Sequence, residues 1–180
     1  MAAAVSVFSA AGVRDGSVRD VAERAGMTHA GLRHHFPTKL DLLQAVLTWR
    51  DQDALQRLDA LHVDGVDVIR AWLAEVGRSR DTPELVDLHV TLSAEGTSVD
   101  HPLHEYFVRR YDRLVVGLRQ ALELAESRGE LLPDVDCEHA ARILIAVTDG
   151  LQVQWLLDRE SVDMVAMLRR HLGSIVAVPL

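Results

Sequence analysis

The sequence predicts an all-α protein with a small helical head and a larger helical body. Three observations point there. Apolar residues recur at helical spacing almost throughout. Helix-capping and helix-stopping residues fall between those segments. Aromatic residues are only 4% of a chain that is 48% hydrophobic, so the core is built mainly of Leu, Val and Ala, which suits packed helices.

The first helix carries Ala4, Val7, Phe8 and Ala11, and Gly12 ends it. Ser17-Val18-Arg19-Asp20 reads as a capping box that opens a short second helix, closed at Gly26. Thr28 caps a short third helix that Pro37 stops near Phe36. Thr38-Lys39-Leu40-Asp41 opens a long fourth helix that runs to about Leu61. Five more helices are expected at roughly 65–78, 83–97, 102–128, 136–158 and 161–177. Thr82-Pro83 and Asp100-x-Pro102 mark two of the starts, and Gly129 with Pro133 separates the two longest. These elements divide into residues 1–46, a head of short helices with the start of the fourth, and 47–180, a larger helical body.

The formal net charge is −8, but it is unevenly spread. Residues 1–50 carry six basic against four acidic residues, a net of +2, which leaves −10 for the remainder. Lys39 is the only lysine and Cys137 the only cysteine. A single cysteine excludes a disulfide framework and a zinc ribbon, and it fits a reduced, cytoplasmic setting. No apolar run approaches the ~18 residues of a membrane span. The apolar N-terminus lacks the charged region of a secretory signal.

Two short helices joined by a Gly26-containing turn have the spacing of a helix-turn-helix. Ala22 and Ala25 let the helices cross closely, and Val18, Val21, Leu32, Phe8 and Phe36 are expected to form a miniature core. The outward face of the third helix offers Thr28, His29, Ala30, Arg33 and His34. Ser17 and Lys39 stand at the flanking helix starts. Lys39 is electrostatically misplaced at a helix N-terminus, which favours a phosphate partner for it. Thr28 caps its helix in any case, and both histidines also suit ordinary surface positions.

Ser17 to Thr28, continued by Leu32-Arg33-His34-His35-Phe36-Pro37-Thr38-Lys39, closely resembles the DNA-binding domain of TetR-family repressors. Asp149-Gly150-Leu151, and Gly129-Glu130-Leu131 before Pro133, resemble the ligand-binding half of that family. The resemblance implies a repressor that binds a palindromic double-stranded operator as a homodimer and is released by a small, largely apolar effector. It implies no cofactor and no enzymatic activity. The chain departs from the family pattern at Arg33, where an aromatic residue is usual. It also begins almost at the first helix; the basic arm common in the family is either trimmed away or absent, and either case implies fewer phosphate contacts.

The helix at 136–158 is apolar on more than one face. Ala140, Leu144, Val147, Leu151 and Trp155 form one stripe, and Ile143, Gly150 and Leu157 another. The resemblance implies a dimer seam made by the last two helices, with Ile143, Leu151, Gln154, Trp155, Leu168 and Leu172 in it. The alternative is that these helices only complete a monomer core. Effector contacts are expected at Trp72, His89, Leu92, Glu95, Phe107, Arg110 and Tyr111. Such stripes also serve plain core packing, and a buried His89 would then need a hydrogen-bond partner. His101, His104 and Glu105 offer metal-ligand chemistry at a helix start, but no matching pair stands on a second helix, so no metal site is expected. A helical binding module without DNA activity is the remaining alternative.

Overall fold

The computed structural model describes residues 1–180, except for the side chains of Ser9, Val13 and Arg14. The described residues form α1 (Ala2–Asp15), α2 (Val18–Arg24), α3 (His29–His35), α4 (Lys39–Leu61), α5 (Val66–Ser79), α6 (Pro83–Glu95), α7 (His104–Ser127), α8 (Cys137–Leu157) and α9 (Met164–Leu172). They contain no helix long and apolar enough to cross a membrane.

The chain forms two compact units. The first comprises Met1–Leu55 with Thr82–Phe107. Gly12 kinks α1 with φ 76°, ψ 167°, but the helix runs on to Asp15 instead of ending at Gly12 as expected. Gly16 is glycine for a packing reason. A Cβ there would sit 2.6 Å from Phe8 Cδ1 and 2.9 Å from the Gly12 carbonyl oxygen. Ala4, Val7 and Phe8 of α1 are buried together with Val21, Ala22, Leu32, Leu42, Leu43, Val46 and Leu47. Val18 and Phe36, expected in that core, are half-buried.

In this unit α6 packs on α1. Arg50 of α4 donates to the Leu85 carbonyl at 3.1 Å, and Tyr106 Oη donates to Asp51 at 3.0 Å. The α6–α7 turn uses both histidines of the considered metal motif. His101 Nδ1 accepts from the Leu103 amide, and His104 Nδ1 lies 2.9 Å from the Gly96 carbonyl oxygen. Their ring nitrogens thus hold a turn together. Among the described residues no group of three or more His, Cys, Asp or Glu side chains is placed to hold a metal ion.

The second unit comprises Gln56–Asp81 and Val108–Leu180. In it α9 packs on α5 and α8. Its core includes Ile69, Leu73, Leu118, Leu122, Ala125, Ala141, Leu144, Leu151, Trp155, Met164, Leu168 and Leu172. The last helix is shorter than the expected 161–177. Asp163 starts it by accepting from the Ala166 amide at 3.1 Å, and Gly173 follows its end. The next residues pair as an isolated antiparallel bridge between Leu131 and Val176. The Leu132 amide donates to the Ile175 carbonyl at 2.9 Å, and the Ala177 amide to the Glu130 carbonyl at 2.8 Å. Val176 is thereby buried without helix. Glu130 also accepts from the Val66 amide at the start of α5, beside Gly65 at φ 54°. Cys137 is buried, and burial with Glu126 and Glu123 beside it pushes its thiol above the usual range, so it is a packing residue.

Candidate nucleic-acid interface

α2 and α3 are fixed by short-range chemistry. The Ser17 hydroxyl accepts from the Asp20 amide at 3.1 Å, and Thr28 Oγ1 from the Gly31 amide at 3.0 Å. Gly26 takes φ 66° in the turn, and the Met27 amide returns to the Ala22 carbonyl at 2.9 Å. The capping box that starts α4 is reciprocal. The Thr38 amide donates to Asp41 Oδ2 at 2.8 Å, and the Asp41 amide to Thr38 Oγ1 at 3.1 Å.

On this frame Leu32 alone of α3 is fully buried, and Thr28, His29, Ala30, Arg33 and His34 are exposed together. Five of the seven residues expected to meet DNA therefore share one surface. Ser17 is half-buried as the α2 cap. Lys39 is also half-buried, with its ammonium 5.8 Å from the Phe8 ring centre. Arg33 donates through both Nε and Nη2 to the Pro37 carbonyl, each at 3.3 Å. The surface offers a guanidinium, two imidazoles and a hydroxyl, which suit phosphates and base edges.

The expected partner seam divides differently. Leu151, Trp155, Leu168 and Leu172 are 8%, 3%, 0% and 1% exposed. Their side chains pack within the single chain, which leaves little of them accessible to a second copy. Ile143 and Gln154 remain accessible. They belong to an open stripe on α8 with Ala146, Val147, Gly150, Val153 and Leu157, flanked on α9 by Met167. A Cβ on Gly150 would meet nothing within 4 Å. The second apolar stripe of α8 was visible in the sequence, but which stripe faced inward was not.

The expected effector contacts fall in two units. Trp72, Arg110 and Tyr111 lie in the second, where Trp72 Nε1 donates to Thr148 Oγ1 at 3.1 Å and Tyr111 Oη to Asp149 at 2.7 Å. The Arg110 guanidinium is 5.8 Å from the Tyr111 ring. His89, Leu92, Glu95 and Phe107 lie in the first. His89, Leu92 and Phe107 are core residues there, with the His89 and Phe107 rings 6.0 Å apart, and Glu95 is exposed. A groove of about 290 Å³ between α5 and α9 is lined by Arg70, Leu73, Ala74, Gly77, Val165, Arg169 and Leu180, and by none of the seven.

Two family models match this chain. Residues 1–46 match bacterial regulatory proteins of the tetR family, and residues 90–177 match the C-terminal part of BetI-type transcriptional repressors. The HTH-type transcriptional regulator TtgR of Pseudomonas putida is 30% identical, over 90% of this chain and 80% of its own length. SrpR, an HTH-type transcriptional regulator of the same species, is 27% identical over 98% and 81%. The structure of SmeT, repressor of the Stenotrophomonas maltophilia multidrug efflux pump SmeDEF, superposes with a TM-score of 0.75. It covers 99% of this chain and 94% of that one at 21% identity, a likeness of fold. The chain belongs to the TetR family of bacterial regulatory proteins. It is a helix-turn-helix transcriptional regulator, not an enzyme.

Proposed function

We propose that this chain is a repressor that binds a palindromic operator as a homodimer and leaves it when a small, largely apolar ligand binds. The observation that supports the reading most is the capped α3 with its polar residues exposed on one surface. Two such helices, about 34–36 Å apart, would enter successive major grooves. The open apolar stripe of α8, with Met167 of α9, is the surface proposed to meet the second copy. Thr28, His29, Ala30, Arg33 and His34 are the proposed reading residues, and Ser17 and Lys39 the proposed phosphate contacts.

Lys39→Ala is expected to weaken binding to every DNA sequence alike and to lower the slope of log affinity against log salt by about one unit. Fluorescence anisotropy between low and moderate salt measures it. An unchanged slope would remove Lys39 from the interface.

The ligand is proposed to sit against Trp72, Arg110 and Tyr111, where the polar partners Thr148 and Asp149 can exchange their present hydrogen bonds for a ligand's. To act, it must bind one arrangement of the dimer better than the other. A coupling of ~1–3 kcal/mol would weaken operator binding about 5–150-fold. A compound that quenches Trp72 fluorescence and leaves operator affinity unchanged would contradict the coupling.

A further inference from the structure

Arg33 is the only arginine or lysine in α3, and its side chain is held in a particular way. The guanidinium is planar, with five N–H donors in a fixed fork. Nε and Nη2 close one edge on the Pro37 carbonyl, each at 3.3 Å. That acceptor is itself anchored. The proline ring restricts its backbone, and Thr38 after it is locked to Asp41 by two reciprocal bonds. The remaining edge, Nη1 with the second N–H of Nη2, presents two parallel donors.

The same residue stands on the reading surface. Arg33 lies three residues after Ala30 and four after His29, so the three share a helix face, and all are exposed. Ala30 adds only a methyl group there, so a long side chain beside it can reach the floor of a groove while the helix stays close. A flat surface with two parallel acceptors fits the free edge. In the major groove that surface is guanine, through O6 and N7.

We infer that Arg33, braced on the Pro37 carbonyl, reads a guanine in each half-site and so sets an operator preference. The inference rests on the proposed operator binding and deepens it. The brace fixes the fork before DNA arrives, so less side-chain freedom is lost on contact.

Selection from a randomised duplex pool with the full chain, wild type and Arg33→Lys, tests this. The lysine keeps the charge and loses the fork. Wild type is expected to fix one guanine per half-site that Arg33→Lys does not fix. Changing it to adenine should weaken wild type about 5–150-fold and the variant far less. Replacing that guanine with 7-deazaguanine, which lacks N7, should also weaken wild type selectively. Inosine, which keeps O6 and N7, should not. If both proteins select the same bases and the variant binds all of them uniformly more weakly, Arg33 serves a phosphate and the guanine assignment fails. If neither protein selects any sequence, the assignment fails together with the operator reading.

Discussion

Ala146→Arg is expected to leave each chain folded and to turn the proposed dimer into monomers. Ala146 is exposed in the single chain, so the new side chain meets solvent there rather than core. In the proposed dimer it would lie near the middle of the stripe formed by Ile143, Val147, Gly150, Val153 and Leu157. Burying an unpaired guanidinium against that apolar surface costs several kcal/mol, enough to shift the equilibrium strongly toward monomers. Loss of the dimer separates the two reading helices. Operator binding should then fall by about 10³-fold or more, toward the affinity of non-specific contact. Light scattering at micromolar concentration and a DNA titration read both effects. A dimeric Ala146→Arg protein with wild-type DNA affinity would place the seam elsewhere. Leu151→Arg would be a poor substitute for this test, because Leu151 belongs to the chain's own core and the variant would report unfolding.

The second large effect separates neighbours on α9. Leu168→Ala is expected to destabilise the chain by about 2–5 kcal/mol, because Leu168 is 0% exposed and its removal leaves a cavity where α9 packs on α5 and α8. Met167, one residue earlier, is 45% exposed. Met167→Ala should change the stability of a monomer by no more than about 0.5 kcal/mol, while weakening the dimer. Urea unfolding of both variants in the Ala146→Arg background isolates the single-chain term. Equal losses in that background would mean that Met167 is core and that the seam is misplaced.

The head was legible in the sequence because its signals are local. Ser17, Thr28 and the Thr38–Asp41 pair are caps whose partners stand three residues away, and each bond is present. Gly26 takes the left-handed conformation its turn requires. What the sequence concealed depends on long-range packing. Periodicity in α8 revealed two apolar stripes but could not choose between them, because either can face inward. The buried one holds Leu144, Leu151 and Trp155, whereas Val147, read as part of that stripe, lies on the open one. His89, Leu92 and Phe107 stand on stripes that suit core packing more often than a pocket, and all three are buried in the first unit. Ile175 and Val176 continue the helical pattern of α9, yet they pair with residues 130–132, more than forty positions earlier, and no periodicity carries that information. Likewise nothing local foretold that α6 would pack on α1.

The most direct test of sequence-specific operator binding by a dimer is a pair of titrations at the same salt. The full chain is titrated into the duplex recovered by selection and into a scrambled duplex of equal length and composition. Two chains per selected duplex are expected, with affinity at least about 10³-fold above that for the scrambled one. Equal affinity for the two duplexes, or saturation at one chain per duplex, would contradict the account.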